Sequence, residues 1–179
     1  MSAMNRTTKS LRAAVCLVAA LVFAAAAQPS RAQGIERIGD YGDWHSFRFS
    51  EDGNLACYTS SEPKKAEGQY KKRGDVFAIV THRPAEKRLG EVSIIAGYSY
   101  RKDSWVEVKI GAQTFQLFTQ DDGAWAPDAE TDKKLVQAMR KGHTMVVIGT
   151  SARGTLTTDT YSLKGFTKAY LAIAKACGL

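Results

Sequence analysis

The sequence lacks the residues from which reactive centres are usually built. Only three histidines and three cysteines occur in 179 residues, and His45, His82 and His143 are too scattered to supply the closely spaced ligands of a zinc site. Neither a metal nor another cofactor is expected. There is no G-x-S-x-G nucleophile elbow, and "KGHTMVVIGTSARG" has glycines without the spacing of a phosphate or dinucleotide loop. No residue is therefore assigned a catalytic role. The acids Asp121, Asp122, Asp128, Glu130 and Asp132 lack the alternation and glycine of a calcium loop. Prolines number four, and no Pro/Ser/Gly linker, repeat or low-complexity tract marks a second domain.

Long apolar runs are scarce as well. The longest, Ala13 to Ala27, falls short of the about 20 residues that span a bilayer. It follows "MSAMNRTTKSLR", which holds Arg6, Lys9 and Arg12 and no acid, the positive-then-apolar order of a secretory leader. Ser30-Arg31-Ala32 suits cleavage after Ala32, and Ala25-Ala26-Ala27 offers an earlier site. The expected organisation is a signal peptide over 1–32, then a single domain over 33–179 with no transmembrane span, periplasmic or secreted. Residues 1–32 hold four basic residues (Arg6, Lys9, Arg12, Arg31), so the formal charge of +7 drops by four to +3 on the mature chain. That is too little for the concentrated basic face of a nucleic-acid reader, and no nucleic-acid partner is expected.

Cys16 leaves with the leader, while Cys57 and Cys177 remain. In an oxidising compartment such a pair joins, the alternative being two separate buried thiols. The bridge would close a loop of about 120 residues, for which chain entropy sets an upper figure of about 4–5 kcal/mol.

Turn residues Glu51-Asp52-Gly53-Asn54 separate two alternating runs, "WHSFRFS" and "LACYTS", which predicts a hairpin. "EPKKAEGQYKK" (62–72) has no apolar face and reads as a surface loop. "DVFAIVTH" and "EVSIIAGY" are short β-branched strands, and "WVEVKI" and "QTFQLFT" form a hairpin through Gly111-Ala112, a type II′ pattern. "PDAETDKKLVQAMRKG" reads as a helix with acids in its first turn, a Leu135/Val136/Met139 stripe, and Gly142 as a left-handed cap. "HTMVVIGTSA" and "TLTTDTYSL" are strands, and "FTKAYLAIAKACGL" is a second helix with Phe166, Tyr170, Ile173 and Cys177 on one side. The expected fold is mainly β: an antiparallel β-sandwich of eight or so strands with two short helices, one internal and one C-terminal.

Two segments offer binding chemistry. "THRPAEKR" gathers His82, Arg83, Lys87 and Arg88 beside Pro84, and such a loop would grip a carboxylate, phosphate or sulfated glycan through arginine's planar fork. The plainer alternative is a solvated bend that Pro84 starts. Trp44, Trp105 and Trp125 are core aromatics or a stacking platform, and Trp125 in "GAWAPD" is placed to edge a pocket. The candidate ligand-binding residues are thus His82, Arg83, Arg88 and Trp125.

Taken together, "GDWHSF", "LACYTS", "KRGDVFAIVTHRPAEKRLGEVSIIAGY", "LFTQDDGAWAPDAETDKKLVQAMRKG" and "VVIGTSARGTLTTDTYSLKGFTKAY" before a last cysteine resemble the invasion-associated locus B family of exported alphaproteobacterial proteins. The resemblance implies a β-rich periplasmic or envelope domain and carries over no catalytic residue. "WHSFRFSEDG" lacks a cysteine that many members carry after the tryptophan. The expectation is a non-enzymatic binding protein for an envelope protein, a glycan or a host-surface component. The alternatives are a small periplasmic hydrolase built on His82 or His143 and a chaperone-like holder of unfolded clients.

Overall fold

A computed structural model describes residues 34–179. The leader, its cleavage site and Cys16 lie outside the described residues. Among the described residues the fold is mainly β, with eleven strands in a single antiparallel sheet and two α-helices. In chain order the strands are β1 (Glu36–Tyr41), β2 (Trp44–Glu51), β3 (Asn54–Ser61), β4 (Lys65–Gly68), β5 (Phe77–Arg83), β6 (Arg88–Ile95), β7 (Trp105–Ile110), β8 (Gln113–Gln120), β9 (Gly123–Trp125), β10 (Thr144–Thr150) and β11 (Leu156–Ser162). Helix α1 spans Ala129–Lys141 between β9 and β10, and α2 spans Phe166–Ala176.

Strand order across the sheet is β1-β2-β3-β5-β6-β9-β8-β7-β10-β11-β4. The sheet folds over so that inward residues of its two halves, such as Val80, Val92 and Ile94 against Val106, Leu117 and Met145, share one core. This closure has a fastening at Trp44, whose indole N–H donates to the Ser162 carbonyl at 3.0 Å while its ring meets Phe166 edge-on at 4.8 Å. Alternation of inward and outward residues along β5, β6, β7 and β10 follows from the two-residue period of a strand with one buried face. The Gly111-Ala112 turn has only Gly111 at positive φ, as a type II′ turn requires.

Three elements exceed or depart from the expectations. The segment expected to be a surface loop contains β4, which pairs with β11 along Lys65–Gly68. All four residues are exposed; an edge strand needs only backbone partners, so a charged sequence without an apolar face does not forbid it. Strands β1 and β9 were likewise not anticipated, which raises the tally from about eight to eleven. Gly142 is extended, at φ −82°, and does not form the expected left-handed cap. Packing explains the glycine: an added Cβ would lie 2.6 Å from Ile110 Cγ2.

Both helices follow their sequence signals. Asp128 caps α1 by accepting from the Thr131 N–H at 2.7 Å, and Leu135, Val136 and Met139 are buried. Helix α2 buries Phe166, Ala169 and Ile173, each large side chain contributing roughly 1.5–3 kcal/mol. Cys177 is joined to Cys57 of β3 across a separation of 120 residues, with Cα atoms 6.0 Å apart. This bond pins the end of α2 to the sheet.

Candidate functional site

The chain leaves the sheet after Trp125 through Ala126 and Pro127, and this exit shapes the site. Val92 on β6 is there beyond the reach of β9, and its N–H is taken instead by Asp132 from the first turn of α1, at 2.8 Å. Between the start of β6, the exit of β9 and the face of α1 lies a groove of about 840 Å³, closed at one side by Tyr170 of α2. Arg88, Leu89, Phe118, Trp125 and Val136 line it together with Asp132.

Its aromatic wall follows from strand register. Trp105 pairs with Phe118 and Phe118 with Trp125, so the three rings stand in one row on the outward face. The Phe118 and Trp125 centroids are 6.0 Å apart. Exposure reaches 56% for Trp105, 38% for Phe118 and 51% for Leu89 at the facing rim. Clustered exposed apolar side chains of this size mark interaction surfaces, whereas scattered ones do not.

Of the four basic side chains lining the groove, Arg88 is matched, whereas Lys87, Lys133 and Arg140 form no salt bridge among the described residues. Arg88 donates to Glu86 at 2.9 Å and to Glu91 at 3.0 Å. Arg83 donates to Glu51 at 2.9 Å and to the other oxygen of Glu91 at 3.3 Å. Glu91 thus joins the two guanidiniums into a network, and a short 3-10 turn over Pro84–Glu86 brings Glu86 into it. The expected cationic loop, whose field Glu86 was expected to temper, has both its arginines neutralised, by Glu51, Glu86 and Glu91 together.

His82 does not belong to that loop. It lies inward on β5, opposite Cys57, and is buried, with its ring centroid 5.0 Å from that of Tyr170 in an edge-on contact. Its Nδ1 accepts from the Gly90 N–H at 3.0 Å, and burial pushes the imidazole below its ordinary range, so it stands neutral beside the groove. The parity of Ala78, Val80 and His82 along one strand face accounts for this position. Asp132 is the perturbed acid: desolvation, with smaller contributions from Glu91 and Asp128, moves its carboxyl up to about 6 against the pull of the Val92 N–H.

Of the sequence candidates, the groove therefore brings Arg88 and Trp125 together, holds Arg83 one shared glutamate away, and keeps His82 buried next to Gly90. Leu89, Phe118, Asp132 and Tyr170 were not singled out as binding residues. A signal for Phe118 existed, because adjacent Leu117 and Phe118 must face opposite sides of a strand and only one can enter the core. Among the described residues, neither His82 nor His143 hydrogen-bonds a Ser, Asp or Glu side chain, and no group of three His, Cys, Asp or Glu converges as metal ligands. No helix among them is long and apolar enough to cross a membrane.

Among curated proteins, none matches this chain. The fold is similar to a crystal structure titled invasion associated protein b from Bartonella henselae, at 18% sequence identity and a TM-score of 0.54, over 77% of this chain and 97% of that one. The family described as "Invasion associated locus B (IalB) protein" matches residues 44–174, which cover the sheet from β2 onward, the groove and most of α2. The chain belongs to the invasion associated locus B family.

Proposed function

We propose that the protein is a non-enzymatic binding protein of the periplasm or cell exterior, made as a precursor with a leader over 1–32, and that its groove receives a segment of an envelope protein. The observation that carries this reading is the row of rings, exposed Trp105 and Phe118 and half-buried Trp125, of which the last two line a groove opposite Leu89 and beside the paired Arg88. An apolar centre with aromatic anchors inside a polar rim is the composition of a protein-binding patch. The disulfide supports the extracytoplasmic location, since such bonds persist in oxidising compartments.

A photoreactive benzoylphenylalanine at Phe118, activated in living cells, tests the proposal. A discrete protein adduct is expected, and it should vanish when Leu89→Asp is added. Absence of any adduct beyond that formed from a probe at exposed Asp52, or an adduct indifferent to Leu89→Asp, would sink the reading.

A further inference from the structure

A second trough, of about 700 Å³, lies between the chain entering β5, the turn after β6 and the β10–β11 hairpin. Four basic residues line it, Lys71, Lys72, Arg73 and Arg153, and no Asp or Glu does. Arg73 is spent internally. Its guanidinium forms a two-pronged pair with Asp159 at 2.6 and 2.7 Å, donates to the Ala96 carbonyl at 2.6 Å, and lies over the Tyr98 ring at 4.9 Å. The pair is nearly sealed from water, at 5% and 3% side-chain exposure. Although burial works against the arginine's charge, Asp159 more than offsets it.

This buried pair fixes the backbone that carries Lys71 and Lys72. The next residue is held too: Gly74 N–H donates to the Gly97 carbonyl at 2.9 Å, an approach so close that a Cβ on Gly97 would lie 2.4 Å from the Gly74 oxygen. Across the trough, Arg153 sits in a tight hairpin tip. There Gly154 N–H donates to the Ser151 carbonyl at 2.8 Å and Thr155 N–H to the Ser151 hydroxyl at 3.1 Å. Lys71, Lys72 and Arg153 are exposed, and among the described residues none forms a salt bridge. Two rigid supports therefore present three unneutralised cations to an acid-free trough, with the polar side chains of Gln69, Ser99 and Thr155 between them.

We infer that this trough is a binding site for a polyanionic saccharide bearing sulfate or phosphate groups. A single phosphate is usually held by converging backbone N–H groups, whereas here the cations stand on two separate supports, Lys71 and Lys72 on one and Arg153 on the other, and suit charges spaced along a chain. Hydroxyl and amide side chains between the cations supply partners for sugar hydroxyls, and the half-exposed Tyr70 ring edges the trough. The site is independent of what occupies the aromatic groove.

Isothermal titration of the oxidised protein at low salt tests this, with four probes: a sulfated heparin octasaccharide, a phosphorylated mannose oligosaccharide, the desulfated octasaccharide, and phosphatidylglycerol vesicles. Binding is expected for the sulfated or the phosphorylated probe, which also tells the two sources apart, and it should weaken as salt screens the charges. Lys72→Gln/Arg153→Gln should reduce affinity at least about tenfold, since charge-assisted bonds are lost, while Arg88→Gln in the other groove should not. Both changes are at exposed positions, so an unaltered melting curve identifies a binding effect. Four results overturn the proposal: binding to neither charged saccharide, equal binding of the desulfated probe, binding to vesicles alone, or affinity unmoved by Lys72→Gln/Arg153→Gln.

Discussion

Each groove is lined by four basic side chains, yet the two differ in what surrounds those charges. Around the aromatic groove stand three acids, Glu91, Asp128 and Asp132, and Arg88 is bonded to two glutamates. No Asp or Glu lines the other, and the nearby Asp159 is engaged by Arg73 through both oxygens. Carboxylates nearby lower the net field of exposed cations, whereas in an acid-free lining the cations set the local potential. What separates the two is the acids of their linings, three in one and none in the other, which the number of basic residues does not reveal.

The comparison can be broken most forcefully at the buried pair. Asp159→Ala should cost about 3–5 kcal/mol in urea unfolding, because it strands a dehydrated guanidinium. Arg73→Met with Asp159→Leu should restore most of that loss, since both charges leave together. A double variant as unstable as the single would refute the account. Next in size is the staple: Cys57→Ser should lower stability by roughly 2–5 kcal/mol, and the native protein should show two fewer free thiols than the reduced one. Equal thiol counts would disprove the bond.

Asp132 gives a prediction with a sign. Its carboxyl titrates at about 6 in the folded protein against 3.8 for the free side chain. As pH rises through that window the unfolded chain releases its proton first, the folded state binds more protons, and stability falls. Asp132→Asn can still accept from the Val92 N–H but cannot titrate. Relative to this variant the parent should lose about 1–2 kcal/mol across the window, allowing for screening of a partly exposed group. A parallel pair of pH profiles would exclude the effect. The smallest change is expected at the paired rim, where Arg88→Gln should shift stability by less than about 1 kcal/mol, as is usual for an exposed ion pair.

Much of the scaffold was legible in the residues. Period-two alternation located the long strands, and the Asp128 cap with its Leu135/Val136/Met139 stripe located α1. The sulfur pair was read from the two cysteines left once an expected leader is set aside. Strand β4 was illegible, because pairing at an edge is satisfied by backbone groups and leaves no apolar pattern. The "THRPAEKR" segment looked cationic since three of its neutralising oxygens come from Glu51 and Glu91, outside the quoted run. The parity that places His82 with Ala78 and Val80 was available and outweighed the attraction of its basic neighbours. The acid-free trough was hidden because Lys71 and Arg153 lie far apart in the chain and meet only when β11 carries its hairpin back beside β4.

The Cys57–Cys177 bond also imposes an order of events. A ring of this span cannot close until Cys177, 120 residues beyond Cys57, has been made. Tyr170, a wall of the aromatic groove, rides on α2, whose end this bond pins. The wall that Tyr170 gives this groove is therefore held by the same covalent link, and anything that loosens the link loosens the wall.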